Sequence, residues 1–537
     1  MARSPLIPLF ARAMHHLRLS RDQGVPLAEV VEIEAERART RRAFLKGIAA
    51  AGAALALPSF AQASDPIGTL ASSSRIQPVV AIIGGGTAGL HCAYKLKKKG
   101  IRATVYEATT RTGGRMFSDR TTFAADGQVC ELGGELIDTS HKTMRQLAKD
   151  FGLTLEDKRD DAPGLTDLVG FFNGRNVPYS ELLNLFSPIA AAIDDSLNTL
   201  TVPVKGIEYA DPNGGEWLDN LSLTQWFDRE GIHGIGRELL EAAHVIEWGL
   251  DANIMNCYDM LGLISTNTRK IEVFGSSDER FHVSGGNDQI PRKLAEGING
   301  QIETGRVLHC VTERADGKYV VAFSGGLEVV ADHVVSAIPF KLLREVELRV
   351  ELPQLKRIAI NELGYGENTK CMTGYASRPW RAQGSTGESY SDLPYQNSWD
   401  TTIRQAGAHG ILTEYTGGSV AVAAGAGSTS AHAASFVHQI DRVYPGCAAA
   451  YDEKSVRMAW NRMPFNRASY SAYTVGQYVK FAGTEGEPVG NFHFAGEHTD
   501  FDNQGYMEGA ANSGARVAQE ILASVPASLL ASVSAAG

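Results

Sequence analysis

From Val79 to Ile83 every position is apolar. Alternation would mark a strand with one wet face, whereas an unbroken run marks a strand covered on both faces, as in a parallel sheet. The run leads into Gly84-Gly85-Gly86-Thr87-Ala88-Gly89, and Leu90 to Lys99 then carry a helical pattern with a basic last turn and Gly100 as the stop. Ala103 to Tyr106 predict the next strand, closing on Glu107, so the segment reads as one complete βαβ unit. Residues 140–260 read as mostly helical, with apolar stripes and Trp217, Trp226 and Trp248. Strand patterns return at 319–323 and 327–338, positions 350–475 are mixed, and 491–522 read as strand, loop and final helix.

Both ends of this pattern carry glycine-dense strand-to-helix turns, and no repeat of 20 to 50 residues interrupts it. The expected fold class is therefore α/β: a discontinuous Rossmann-type domain with an inserted α+β domain that includes a helical region. The expected boundaries are 79–138, 261–345 and 476–525 for the nucleotide domain, and 139–260 and 346–475 for the insertion.

Length and charge narrow the function. The 537 residues suffice for several packed units, and 51 Lys plus Arg against 61 Asp plus Glu leave a net charge of −10. There is no basic excess to neutralise nucleic-acid phosphates. Cys92, Cys130, Cys257, Cys310, Cys371 and Cys447 lie at least 38 positions apart. No CxxC or neighbouring zinc-ligand pair can form, the cysteines read as small buried hydrophobes, and no metal site is expected.

Thr40-Arg41-Arg42-Ala43-Phe44-Leu45-Lys46, the apolar run Ile48 to Leu57 and then Ala61-Gln62-Ala63 resemble a twin-arginine signal peptide over 1–63, followed by a linker over 64–78 and ending the chain in a flexible tail at 526–537. The apolar run is too short for a stable membrane span. Periplasmic or secreted export is the expectation, with Met14 as a second possible start.

Gly84-x-Gly86-x-x-Gly89 after a strand and before a helix, with Glu107 beyond it, is the dinucleotide pattern. Gly84 permits the tight turn, Gly86 lets backbone approach the pyrophosphate, Gly89 packs helix on strand, and Glu107 accepts from ribose hydroxyls. Arg111-Thr112-Gly113-Gly114-Arg115-Met116 follows, then Glu131-Leu132-Gly133-Gly134-Glu135. Phe494-Ala495-Gly496-Glu497 and Gly505-Tyr506-Met507-Glu508-Gly509-Ala510 close the chain.

In this order the motifs resemble the flavin-containing amine oxidase family, relatives of monoamine, polyamine and L-amino acid oxidases. The resemblance implies FAD against Gly84, Gly86, Ala88, Gly89, Glu107, Gly113, Gly114, Arg115, Gly133, Glu135, Val307, Gly496, Glu497 and Met507. It also implies two facing rings, Tyr470 and Tyr506, that align a neutral amine, and Lys370 in Asn368-Thr369-Lys370-Cys371 as the lysine that holds a water against flavin N5. The bland alternatives are a core tyrosine at Tyr470 and a surface lysine on a strand at Lys370. Monoamine oxidases carry a flavin-bonded cysteine where this chain has Ser469, so the FAD is expected to be noncovalent.

Leu136 stands where L-amino acid oxidases of the family place a carboxylate-gripping arginine, and Glu135 beside it would attract a second ammonium on the substrate. Arg378 or Arg381 could still reach the pocket and serve an amino acid. The expected reaction is oxidative deamination of a primary amine or L-amino acid, cationic in either case, with O2, giving aldehyde or 2-oxo acid, ammonia and H2O2. A homodimer is the expected assembly. The alternatives are a dehydrogenase using a quinone or protein acceptor, a carotenoid-type desaturase or porphyrinogen oxidase, and a non-redox carrier on the same fold.

Overall fold

A computed structural model describes residues 77–161 and 163–526, so the twin-arginine segment and most of the terminal tail lie outside the described residues. Its centre is a five-stranded sheet in the order Phe492–Phe494, His333–Ser336, Val80–Ile83, Ala103–Glu107, Ile302–Thr304. Every pairing is parallel. Val80 to Ile83 are all buried, as a strand covered on both faces requires, whereas Val79, the first residue of the apolar run, precedes the strand and is exposed.

Three strands of this sheet come from chain segments far from the first βαβ unit, and the last helix seals the join. Met507–Ser524 lies against Thr87–Lys97 so closely that a Cβ on Gly514 would sit 2.3 Å from the Ala88 carbonyl oxygen. His91 Nδ1 is 2.8 Å from the Ala511 carbonyl, a second tie between the two helices.

The second large sheet has seven strands, in the order Tyr451–Ala459, Asn368–Tyr375, Gly410–Gly417, Asn397–Asp400, Ser389–Ser391, Val169–Phe172, Arg175–Val177. All eight residues of Asn368–Tyr375 are buried, between antiparallel neighbours on both edges. This sheet carries Lys370, Trp399 and Tyr415 to the cavity described below.

Two sequence expectations change. The 327–338 pattern is two strands, not one: Glu328–Ala331 joins a four-stranded sheet with Tyr319–Phe323, Leu308–Glu313 and Glu347–Arg349, while His333–Ser336 joins the parallel sheet. The region read as helical contains Val169–Phe172 and Arg175–Val177, which pair with each other as a hairpin, and the first of them joins Ser389–Ser391 more than two hundred residues on. Among the described residues no helix is long and apolar enough to cross a membrane. All six cysteines are free and buried.

Candidate active site

The glycine turn is built for an anion. The helix Thr87–Lys97 has no side-chain cap at Gly86, so its first N–H groups open into a cavity of about 290 Å³. Gly86 sits at φ −75°, ψ 177°, and a Cβ there would meet only the Gly114 Cα, at 3.9 Å. The space beside it is therefore cavity. Glu107 is held at the rim: its Oε2 accepts from Gly85 N and its Oε1 from Thr109 N, both at 2.8 Å.

Gly84, Gly86, Ala88, Glu107, Gly113, Gly114, Arg115, Gly133, Glu135, Lys370, Tyr470, Gly496, Glu497, Tyr506 and Met507 all line this one cavity. Two residues from the sequence-derived set do not. Gly89 is packed behind the turn, where a Cβ would lie 2.1 Å from the Gly84 carbonyl oxygen, which is the helix-on-strand contact. Val307 stands off the wall, its carbonyl accepting from Ser324 N at 2.8 Å.

The distant glycine motifs meet by close approach. A Cβ on Gly133 would fall 1.7 Å from the Arg115 carbonyl oxygen, and one on Gly134 would fall 2.7 Å from Met507 Sδ. Arg115 pairs with Glu497 at 3.1 Å and donates to the Ser469 carbonyl. Burial pushes the Glu497 carboxyl up, yet Arg115, His498, Ser471 and Gly505 N outweigh it and hold its pKa below the ordinary value. That pair is a fixed charge tie across the chain's two ends.

At the other end of the cavity the polar groups come from the seven-stranded sheet. Lys370 Nζ donates to Glu135 Oε2 at 2.8 Å and to the Gly133 carbonyl at 3.0 Å. It stands 5.1 Å from the Trp399 ring centroid and 5.8 Å from that of Tyr415. Lys370 is thus no surface lysine. Trp399 Nε1 donates to the second oxygen of Glu135 at 2.9 Å. This changes the expectation for Glu135, because its charge is answered by Lys370 and is not free for a substrate ammonium.

The Tyr470 hydroxyl lies 2.9 Å from the Ile246 carbonyl and 2.9 Å from the Tyr415 hydroxyl. A carbonyl only accepts, so Tyr470 donates to Ile246 and accepts a hydrogen bond from the Tyr415 hydroxyl. The Tyr506 hydroxyl donates to Glu247 Oε1 at 3.0 Å, and its ring packs edge-on against His141. Ser469 Oγ donates to Asn368 Oδ1 at 2.6 Å.

Arg378 and Arg381 do not reach the cavity. Arg381 is bound to Asp161 and Asp400, and Arg378 to backbone carbonyls at Gln405 and His409. Sequence reasoning missed Glu247, Glu279, Trp248, Trp399 and Tyr415, which also line the wall. None sits in a motif, and only folding brings them together. Trp248 Nε1 and Gln504 Nε2 have no hydrogen-bond partner, leaving two buried donors on the wall for a bound molecule. Away from this cavity, Cys371 and Glu414 on the seven-stranded sheet meet His432 from the helix Thr429–Val443, where His432 Nε2 and Glu414 Oε2 satisfy each other at 2.7 Å.

Burial pushes Glu247 up to about 8, and Glu131, Glu279, Glu388 and Glu485 up to about 7. Burial also drives His91, His333 and His498 down to about 4 and His244 to about 3. Above the ordinary carboxylate value the unfolded chain has released protons that these folded glutamates retain, so stability falls with rising pH until they ionise. The histidines oppose this only below the ordinary imidazole value of 6.5. The thermal unfolding midpoint of the cofactor-loaded protein is therefore expected to decline between pH 6.5 and 8. A midpoint that rises across that window would contradict the assignment.

Comparison with known proteins gives the family and the fold. The profile of the family described as flavin containing amine oxidoreductase matches residues 87–522. A flavin-containing amine oxidase of Danio rerio is 24% identical over 474 residues, 82% of this chain and 85% of the relative. A putative L-amino-acid oxidase of Bacillus subtilis (strain 168) is 26% identical, covering 84% of this chain and 96% of the relative. Among solved structures, wild-type putrescine oxidase bound to putrescine superposes with a TM-score of 0.70 at 20% identity, covering 83% of this chain and 99% of that one. Cyclohexylamine oxidase from Brevibacterium oxydans IH-35A gives 0.72 at 20% identity, covering 83% and 100%.

Proposed function

The chain belongs to the flavin-containing amine oxidoreductase family, and from that premise we propose that it is an FAD-dependent amine oxidase. A primary amine or L-amino acid, O2 and water are consumed; the aldehyde or 2-oxo acid, ammonia and H2O2 are formed. The observation that carries this reading is a single cavity walled at one end by the glycine turn and Glu107 and at the other by Lys370, Tyr470 and Tyr506.

Bound FAD supplies the two-electron acceptor for the hydrogen leaving the amine-bearing carbon, and the means of returning those electrons to oxygen. The chain's residues do the rest. The free N–H groups after Gly86 would hold the pyrophosphate, and Glu107 at the rim would face the ribose hydroxyls. Tyr470 and Tyr506 bound the space for the amine with their ring faces. Lys370 keeps an ammonium on the cavity wall, where negative charge develops as oxygen is reduced. Ser469 offers a hydroxyl engaged with Asn368 where a thioether would need a thiol, which supports noncovalent binding.

The test is to purify the yellow protein, release its flavin by acid precipitation, and assay peroxide across monoamines, diamines and L-amino acids. Complete release as FAD, bleaching by an amine without oxygen and rapid recovery in air are expected. Bleaching with slow recovery in air would replace the oxidase with a dehydrogenase using another acceptor, and a colourless protein would remove the redox reading. The twin-arginine segment supports export of the folded holoenzyme, with a mature amino terminus after Ala63. A cytoplasmic protein retaining that segment would overturn the placement.

A further inference from the structure

The charges lining the cavity do not balance. Its cations are all engaged: Arg111 donates to the carbonyls of Thr112 and Gly114, Arg115 to Glu497 and Lys370 to Glu135. Two carboxylates on the same wall have no such answer. Glu247 receives one hydrogen bond, from the Tyr506 hydroxyl, and the Glu279 side chain receives none among the described residues. Neither has a cation within ion-pair distance among the described residues.

Desolvation is the main reason both hold their protons more tightly than an ordinary glutamate, and the Glu279 carboxyl adds to it at Glu247. Asp138 adds to the negative field at both groups and Glu135 adds to it at Glu279, where Lys158 and Lys370 offset it without forming an ion pair. Glu279 also sits at φ +41°, a left-handed conformation that non-glycine residues adopt at a cost. A strained, half-buried pair of glutamates facing a cavity keeps its protons while nothing cationic is near and takes up its charge when a cation completes the site.

We propose that Glu247 and Glu279 form the anionic end of the substrate site and that the substrate is a diamine without a carboxylate, whose second ammonium they bind while the first amine reacts. The inference rests on the amine oxidase reading and narrows it. A diammonium chain brings the missing cation. An α-amino acid would bring a carboxylate that no free guanidinium in the cavity can receive.

The test uses the intact holoenzyme with 1,4-diaminobutane, 1-aminobutane and L-ornithine, which share a chain length and differ in charge. Peroxide production and anaerobic bleaching of the flavin are both followed. The wild-type kcat/KM for the diamine is expected to exceed that for the monoamine by about 10- to 100-fold, the range for hydrogen bonds to a charged group. L-Ornithine is expected to fall below the diamine. In Glu279→Gln and Glu247→Gln that diamine-to-monoamine ratio collapses towards one, whereas in Glu135→Gln it persists because Glu135 already serves Lys370. Equal wild-type values for diamine and monoamine would overturn the proposal without any variant, as would a ratio unchanged in Glu279→Gln. If no amine bleaches the flavin, it is the amine oxidase reading itself that fails.

Discussion

In Lys370→Met the reduced protein regains its oxidised spectrum in air about 10²- to 10³-fold more slowly, the range for removing one positioned charge-stabilising group, while anaerobic reduction by amine slows far less. The side chains are similar in length, but methionine offers no charge and no donor. Lys370 reaches the wall from a fully buried strand, anchored by the Gly133 carbonyl and Glu135 and flanked by Trp399 and Tyr415. Its side chain is buried and paired with Glu135, so it lacks the mobility of a solvent-exposed lysine. Electron transfer out to oxygen builds negative charge, whereas the outward step from a neutral amine does not depend on a cation at that place. Stopped-flow absorbance resolves the two half-reactions. Equal slowing of both would remove Lys370 from its role and leave it as Glu135's structural partner.

Gly86→Ala and Gly89→Ala are expected to fail for opposite reasons. Gly86 has ordinary extended dihedrals, and an added methyl meets no protein atom closer than 3.9 Å. The variant should fold with a thermal midpoint near the parent's apoprotein. Yet the methyl occupies the space where backbone must approach the pyrophosphate. Losing two charge-assisted hydrogen bonds at about 1.5 kcal/mol each weakens FAD binding by about 10²-fold. Gly89→Ala instead drives its methyl to within 2.1 Å of the Gly84 carbonyl oxygen, backbone that cannot step aside without separating helix from strand. Overpacking of this kind costs about 1–3 kcal/mol or more, so it lowers the thermal midpoint even without flavin. Apoprotein melting and FAD titration read the two effects independently. A Gly86→Ala protein with parental FAD affinity would remove the glycine turn from the pyrophosphate site.

Sequence alone determined the parts of this protein governed by local rules. The unbroken apolar run at Val79 to Ile83, glycines at fixed spacing and an acid at the end of the next strand each reflect a constraint acting within a few residues, so the βαβ unit, the order of motifs and the family were legible. Even Ser469 in place of a cysteine can be read one letter at a time. The tertiary structure decided what depends on partners far along the chain. Val169–Phe172 is a strand because Ser389–Ser391 lies beside it. The 327–338 pattern splits because its halves find different sheets. Glu135 looked free in the sequence and is held by a lysine 235 positions away, while Glu247 and Glu279, in no motif, were left facing the cavity without a cation. The physical reason is that a backbone conformation is set by neighbours in sequence, whereas the charge a carboxylate presents is set by whatever the fold packs against it.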